Sequence, residues 1–239
     1  MNNPKQISAV ITTLNEQKYI EQCIKSLKAV VDEIVIIDSY SQDDTKVICE
    51  KLGVTFYERE WMGYAETKNW GNERASHAWI LSIDADEVLS EELSKSLMEV
   101  KHNGLKENSI YKFNRLNNYC GKWIKYAGWY PDTKIRLFSK KNSKWVGEVH
   151  EVLEFSANQK EVFLRGDLLH YTIENKEDHI ARQKKYNELA LPYKNKARSF
   201  LAAFITFLRM YLLKLGVLDG KMGLQLCWIS AKSKFERVR

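Results

Sequence analysis

Apolar and polar positions define two kinds of segment over the first 90 residues of the chain. Short runs of β-branched and other apolar residues are typical of strands buried on both faces of a parallel sheet. Such runs occur at 7–13, 33–37, 54–57 and 78–81. Helical segments are predicted between them, at about 19–27, 47–52 and 65–77. This order of strands and helices predicts an α/β fold with right-handed crossovers.

Three of the predicted strands end near a residue that can bind a ligand. Thr13 closes the first strand, Asp38 follows the second, and Asp84 lies just beyond the fourth. In open α/β sheets, ligands bind outside the carboxyl ends of the strands. We therefore expect Thr13, Asp38 and Asp84 to share one ligand-binding edge. Asn15, next to the first strand, is the predicted N-cap of the helix that follows.

Asp84 and Asp86 are two carboxylates at positions i and i+2, where the fourth strand runs out into a loop. Mg²⁺ and Mn²⁺ prefer oxygen ligands, and Mg²⁺ commonly takes one or two carboxylates together with substrate phosphates. Acidic pairs also occur in ordinary surface turns, so this pair alone is a weak signal. Combined with the neighbouring strand ends, it predicts a site for a divalent metal and a diphosphate.

The C-terminal part of the chain has a different character. Residues 180–239 carry 13 Lys and Arg against three Asp and Glu, and they include the apolar stretch 200–215. A membrane-spanning helix needs about 20 mostly apolar residues, and Arg209 and Lys214 interrupt this one. A basic, apolar segment fits a helix lying at an anionic membrane surface. The alternative is a helix packed on the rest of the protein. Nucleic-acid binding is not expected, because no groove-reading motif accompanies the basic residues.

Length and composition are consistent with one substantial core and an appendage. The chain has 239 residues, of which 44% are hydrophobic. Its four cysteines show no metal-type spacing, and Cys23 and Cys49 are predicted to be buried free thiols. The first residues lack the apolar stretch of a secretory signal, so a reducing cytoplasm is the expected location.

Several motifs together resemble a known family. The first set is 12–16 (TTLNE), 38–45 (DSYSQDDT) and 84–87 (DADE), and the second is 121–123, 128–132, 136–138 and 145–151. The first set resembles the nucleotide-sugar motifs of family 2 glycosyltransferases. The second resembles a narrower group, the bacterial lipopolysaccharide core glycosyltransferases of the WaaE/KdtX type. The chain departs from the family where Tyr40 and Gln42 replace residues that are often Gly and Thr.

The resemblance implies a fold and a domain division. It implies the GT-A fold, a Rossmann-like, mixed, mostly parallel sheet flanked by helices. The catalytic domain is expected at 1–175, with a nucleotide-sugar half at about 1–100 and an acceptor half at about 101–175. A basic, apolar helical extension is expected at 176–239.

The resemblance also implies roles for the residues that bind the donor. Asp38 would read the uracil base, Asp84 would bind the ribose, and Asp86 would ligate Mg²⁺ or Mn²⁺. Thr13 and Glu16 would border the base and ribose, although helix capping and a favourable first-turn charge are alternatives for them. Lys68 is a candidate contact for the diphosphate, or else a solvated lysine on a helix face.

In the enzymes that the chain resembles, an acidic residue well after the motif of Asp84 and Asp86 is the catalytic base, and the segment 149–151 occupies the corresponding place. Inverting transfer is a single displacement, so a carboxylate or an imidazole must take the proton of the acceptor hydroxyl. Glu151 is the candidate and His150 its rival, and the alternative for Glu151 is a salt-bridged strand end. His170 could complete the metal site, as a later histidine does in some GT-A enzymes, or could be a structural residue.

Acceptor binding is expected at the aromatic segment near residues 123–136. Trp129, Tyr130 and Arg136 are the candidates, because aromatic faces stack on sugars and cations suit an acceptor with carboxylates or phosphates. The alternative is that several of the aromatic side chains belong to the core.

These expectations combine into one function. The chain would transfer a hexose, first of all glucose from UDP-glucose, to the inner core of lipopolysaccharide or a similar envelope glycan. Its acceptor would be lipid-linked, and the enzyme would be peripheral on the cytoplasmic face of the inner membrane. Two alternatives remain at this point, a metal-dependent nucleotidyltransferase and a non-catalytic membrane-binding module.

Overall fold

A computed structural model describes residues 5–147, 151–189, 191–193 and 195–238 of the chain. The chain divides into two compact units. The first unit comprises Met1–Asn114 and Thr133–Leu169, and the second comprises Arg115–Asp132 and His170–Arg239. The segment with the aromatic residues 123–130 is therefore grouped with the C-terminal helices, whereas the sequence analysis placed it in the acceptor half at about 101–175.

The elements follow one another along the chain as α/β units and then as a group of later strands and helices. The first part contains β1 (Ile7–Thr13), α1 (Ile20–Leu27), β2 (Glu33–Asp38), α2 (Thr45–Lys51), β3 (Thr55–Glu58), α3 (Tyr64–Arg74), β4 (Trp79–Asp84), β5 (Glu87–Leu89) and α4 (Glu91–Asn103). The later strands are β6 (Ser109–Tyr119), β7 (Lys122–Ile124), β8 (Asp132–Ser139), β9 (Ser143–Val146), β10 (Val152–Phe155) and β11 (Lys160–Ile173). The last helices are α5 (Lys176–Leu189), α6 (Lys196–Leu208) and α7 (Gly220–Glu236), with a π-helical turn at Arg209–Leu213 and a 3₁₀ turn at Gly216–Asp219 between α6 and α7.

The sheet of the first unit is mixed, as predicted, and helices flank it. Its strand order is β3-β2-β1-β4-β8-β6-β11-β5. β1 pairs in parallel with β2 and β4, β2 pairs in parallel with β3, and β8 is antiparallel to β4. In the register of these pairs, Thr13 lies opposite Asp38 and Thr12 lies opposite Asp84. The predicted common edge of Thr13, Asp38 and Asp84 is therefore present.

The apolar pattern of the early segments explains how the first unit packs. The apolar residues of β1, β2 and β4 are buried, and α1 buries Ile20, Cys23, Ile24 and Leu27. α3 approaches the sheet closely at Gly71, where an added Cβ would lie 2.6 Å from Cγ1 of Val10 and 2.8 Å from Cγ1 of Ile37. The prediction of buried free thiols is confirmed for Cys23 and Cys49.

The second unit has its own core, in which the segment 115–132 packs with the C-terminal helices. Its buried apolar residues are Tyr119, Ile124, Ala127, Ile173, Leu226 and Cys227. Within the described residues, no single helix is long and apolar enough to cross a membrane. Two helical stretches, Lys196–Leu213 and Gly216–Glu236, reach that length and composition only when taken together, and they are bent by 74°.

Candidate active site

Asp84 lies between two cationic side chains at the end of β4. Its Oδ1 is 3.0 Å from Nζ of Lys68, which α3 provides. Its Oδ2 accepts a hydrogen bond of 2.7 Å from Nη2 of Arg136, which lies on β8. The side chain of Asp84 is 30% exposed, whereas those of Lys68 and Arg136 are 2% and 5% exposed. The carboxylate is thus held from both sides at the mouth of a buried ionic cluster.

These two charges control the ionisation of Asp84. Burial alone raises the pKa of the Asp84 carboxyl, but the charges and hydrogen bonds of Arg136 and Lys68 outweigh it. The pKa of Asp84 therefore lies well below its usual value, and the pKa of Arg136 is raised despite its burial. Asp84 is therefore ionised at neutral pH.

The acidic motif forms a tight turn between β4 and β5. The N–H of Asp84 donates to Oε2 of Glu87 at 2.9 Å, and Oε1 of Glu87 accepts from Nη2 of Arg136 at 2.7 Å. Glu87 is fully buried, whereas Asp86 is partly exposed. The turn thus directs one carboxylate into the protein and leaves another near the surface beside Asp84.

Lys68 links the acidic motif to the candidate base. Its Nζ lies 3.0 Å from Oδ1 of Asp84 and 2.9 Å from Oε1 of Glu151, just before β10. It also lies 5.2 Å from the ring centroid of Trp145, close enough for a cation–π contact. The interpretation of Lys68 as a solvated lysine is wrong, because it is 1% exposed. Glu151 does form the salt bridge that was the alternative for it, and its role as base stays a prediction.

Hydrogen bonds connect the loops after β1 and β2. The N–H of Asn15 donates to Oγ of Ser41 at 2.8 Å, and the N–H of Gln42 donates to Oδ1 of Asn15 at 2.8 Å. The N–H of Glu16 donates to Oγ1 of Thr45 at 2.9 Å. Asn15 is therefore not the N-cap of α1, which begins at Ile20 without a side-chain cap. The side chain instead joins the two loops.

Two of the predicted donor-binding residues are buried at this edge. Asp38 is 1% exposed, and its carboxylate accepts from the N–H of Ser41 at 2.7 Å and from Oγ of Ser41 at 2.5 Å. Thr13 is 5% exposed, and within the described residues its Oγ1 has no hydrogen-bond partner. A buried hydroxyl without a partner is costly, so a ligand at this edge would gain by bonding to Thr13.

The donor set at the acidic turn fits a metal that is shared with a substrate. Both oxygens of Asp84 face cations. Asp86 is the other carboxylate of the motif, and its partial exposure makes it the candidate ligand for a divalent ion. Among the described residues, no three His, Cys, Asp or Glu side chains lie close enough to hold a metal by themselves. Mg²⁺ is often held by one or two carboxylates and substrate phosphates, and Asp86 fits that kind of site.

The remaining predicted residues are distributed differently. Trp129, Tyr130 and His170 belong to the second unit, and His150 lies outside the described residues. Nδ1 of His170 lies 2.6 Å from Oδ1 of Asn117. Trp129 contacts the rings of Tyr119 and His179 and is partly a core residue, as the alternative proposed.

Arg136 is placed where the sequence did not expect it. It was predicted to bind the acceptor, but its guanidinium is 5% exposed and pairs with Asp84 and Glu87. This position favours a role in holding the acidic turn. Glu87 itself was given no role in the sequence analysis, although it is fully buried. The sequence Glu-Val-Leu has no polar–apolar alternation, so the burial of Glu87 and Leu89 on one face of β5 is seen only in the structure.

Comparison with known proteins gives consistent matches. A model of the family described as glycosyl transferase family 2 matches residues 8–164, which is more than half of the chain. An uncharacterized glycosyltransferase of Rickettsia bellii (strain RML369-C) is 43% identical over 139 residues, covering 58% of this chain and 44% of that protein. The lipopolysaccharide core biosynthesis glycosyltransferase LpsC of Rhizobium meliloti (strain 1021) is 38% identical over 99 residues, covering 39% of this chain and 36% of the relative. The matched segments thus span less than half the length of these two relatives.

A solved structure is similar to part of the chain. It is glucosyl-3-phosphoglycerate synthase from Mycobacterium tuberculosis, crystallised with Mn²⁺, UDP and glucosyl-3-phosphoglycerate. The identity is 24% and the TM-score 0.40, over 48% of this chain and 44% of that one.

Proposed function

Because the chain belongs to glycosyl transferase family 2, we propose that it transfers a hexose, with inversion, from a nucleotide diphosphate sugar to a glycan of the cell envelope. Family membership sets aside the nucleotidyltransferase and the non-catalytic membrane module as interpretations. We propose UDP-glucose as the donor and the inner core of lipopolysaccharide as the acceptor. The motifs of residues 121–151 and the partial similarity to LpsC support this acceptor class.

The chain of ion pairs from Asp84 through Lys68 to Glu151 carries the proposal. It joins the strand end that would bind the donor to the carboxylate that would act on the acceptor. Burying charged groups is costly, and proteins often bear this cost at functional sites. A buried ionic cluster at the strand ends therefore supports a functional site there. The buried Thr13 and Asp38 lie in register on the neighbouring strands and would receive the nucleoside.

Each residue of the cluster then has a task. Glu151 accepts the proton of the acceptor hydroxyl as that oxygen attacks the anomeric carbon from the side opposite the diphosphate. Lys68 fixes Glu151 relative to Asp84, and Arg136 with Glu87 fixes the turn that carries Asp86. A Mg²⁺ or Mn²⁺ ion held by Asp86 would offset the charge of the departing diphosphate.

The test is product formation on a panel of acceptors. The purified chain would be incubated with UDP-glucose, Mn²⁺ and lipopolysaccharides truncated at successive core sugars, and products would be read by mass spectrometry. We expect one hexose to be added to an inner-core acceptor, and Asp86→Asn to abolish the addition while the fold persists. Absence of any glycosylated product from UDP-glucose with every acceptor in the panel would contradict the proposed donor and acceptor. Full activity of Asp86→Asn in chelator-treated buffer would contradict the proposed requirement for a divalent metal.

A further inference from the structure

α6 has an apolar face that is largely exposed within the described part of the chain. Phe200, Leu201, Phe204 and Ile205 recur at the spacing of one helical turn, and they are 51 to 63% exposed. The opposite face carries small residues, including the buried Ser199, whose Oγ donates to the carbonyl oxygen of Phe235 on α7. A helix packed on a soluble core has the reverse arrangement, with its large apolar residues inside.

The bend between α6 and α7 extends this apolar surface. Leu212, Leu213 and Leu218 are 52%, 80% and 58% exposed. Between α6 and α7 there is also an apolar cavity of about 300 Å³, lined by Phe200, Phe204 and Trp228 among others. A continuous exposed apolar surface of this kind marks an interaction site. We call the exposed residues of α6 and the bend the outer apolar face.

The residues beside the outer apolar face are basic, which favours an anionic partner. Lys196, Arg198, Arg209 and Lys214 are exposed. Asp219 is the only acidic residue in 196–235, and it is buried. Basic residues bordering an apolar face complement an anionic lipid surface. A second copy of the chain would bring two basic faces together, which like charges oppose.

The bend also holds the aromatic segment of the second unit. The N–H groups of Lys125 and Tyr126 donate to Oδ1 and Oδ2 of Asp219 at 3.2 and 3.0 Å. The N–H of Ala127 donates to the carbonyl oxygen of Lys214 at 2.8 Å. Three consecutive backbone groups of this segment are therefore bonded to the bend itself.

We propose that the outer apolar face inserts into the interface of an anionic bilayer, and that the bend thereby holds the segment 122–130 at the lipid surface. The face contributes apolar burial, and the basic residues contribute attraction to anionic headgroups. This explains how an enzyme could meet the sugars of a lipid-linked acceptor. The insertion concerns the same acceptor as the proposed function, but its test requires neither donor nor acceptor.

The first test is flotation with vesicles of phosphatidylcholine and phosphatidylglycerol in equal amounts. Phe204→Glu is compared with Phe163→Glu, because Phe163 on β11 is 48% exposed and Phe204 is 51% exposed. We expect Phe204→Glu to weaken partitioning by at least about tenfold and Phe163→Glu to leave it unchanged. High salt should weaken binding of the unaltered chain without eliminating it.

A second measurement keeps the proposal testable if Phe204→Glu misfolds. A nitroxide label at Leu213→Cys, in a Cys120→Ser background, should become protected from a water-soluble relaxation agent when vesicles are added. The same label at Phe163→Cys should stay accessible. Absence of vesicle binding at low salt, equal loss in the Phe163→Glu control, or a label at 213 that stays accessible would overturn the proposal. A lipid-free dimer that Phe204→Glu dissociates, without vesicle binding, would assign the face to a second copy instead.

Discussion

The two units depart in opposite ways from the usual rule that charged side chains are exposed and apolar side chains are buried. The first unit buries charge, since Lys68, Arg136 and Glu87 are 1%, 4% and 0% exposed. The second unit exposes apolar side chains, such as Phe204 and Leu213. Charged groups are almost never fully buried unless they are paired, and extended exposed apolar faces mark contacts with partners. Both features oppose simple folding rules, and both point to function.

The buried charges and the exposed apolar face differ in whether their partners lie within the same unit. The buried charges of the first unit are paired inside the unit, so removing one member leaves others uncompensated. The outer apolar face of the second unit stays mostly exposed within the described residues, although Phe200 contacts the ring of Phe235. Substitutions in the ionic cluster should therefore damage both stability and activity in solution. Substitutions on the face should matter only when a membrane is present.

The sharpest way to break this comparison is Lys68→Met. It removes the cation between Asp84 and Glu151 and leaves two carboxylates about as close as before. We expect a loss of about 3 kcal/mol in the free energy of unfolding, because removing one partner of a buried pair leaves uncompensated charge. Transfer activity should be lost as well. Urea unfolding and the acceptor assay measure the two effects.

The matched control for this prediction is Lys25→Met. Lys25 also forms an ion pair, with Glu21 at 2.6 Å, but the two side chains are 61% and 54% exposed. Its loss should leave stability and activity nearly unchanged, because exposed ion pairs contribute little. Equal effects of the two substitutions would show that the buried ionic cluster contributes no more to stability and activity than an exposed ion pair does.

The next prediction concerns the acceptor side of the same cluster. Glu151→Gln keeps the shape of the side chain but cannot accept a proton. Turnover should fall by at least about 100-fold, while donor binding, measured by calorimetry with UDP, stays nearly unchanged. If His150→Ala gives that result and Glu151→Gln does not, the base is His150. Asp132 would be next to test if neither does.

The third prediction concerns a buried carboxylate of the second unit, Asp219. Asp219 is 3% exposed, and both of its carboxylate oxygens accept from backbone N–H groups, as described above. Asp219→Asn provides one acceptor oxygen where two are needed, so we expect a loss of about 2 kcal/mol in stability. If the segment 122–130 binds the acceptor, KM for the acceptor should rise while hydrolysis of the donor in its absence is unaffected. A proportional loss of both activities would indicate a purely structural role.

The sequence predicted the framework of the first unit well for a physical reason. β1 was predicted at its observed bounds and β2 to within one residue, because a strand buried on both faces requires a continuous apolar run. The edge shared by Thr13, Asp38 and Asp84 followed from parallel pairing alone. These features depend on local pattern and on general rules of sheet topology.

Other features depend on contacts between distant positions and could not be predicted. The pairing of Lys68 with Glu151 joins residues 83 positions apart, and no local pattern distinguishes such a lysine from a solvated one. The burial of Arg136 against Glu87 is of the same kind. In the second unit, the apolar composition of α6 was visible, but which side faces outward was not. That orientation depends on Ser199 and its neighbours packing against α7.

The smallest effect expected concerns a buried histidine of the second unit. His179 is 1% exposed, and its Nδ1 lies 3.0 Å from the hydroxyl of Tyr119. Burial, followed by the charge of Arg182, lowers the pKa of His179 to about 4. Between pH 4 and the ordinary histidine pKa of about 6.5, the unfolded chain therefore binds the proton and the folded chain does not. The free energy of unfolding must fall as the pH falls through this window.

From pH 7 to pH 5.5 the contribution of His179 should amount to about 1 kcal/mol. Urea unfolding followed by circular dichroism at a series of pH values measures it. His179→Gln should remove this part of the pH dependence, whereas His102→Gln, at an exposed position on α4, should retain it. An unchanged slope in His179→Gln would assign the titration to another group. Because this effect requires no partner, donor or lipid, it would show that the second unit is stabilised by an ordinary buried core beneath its unusual surface.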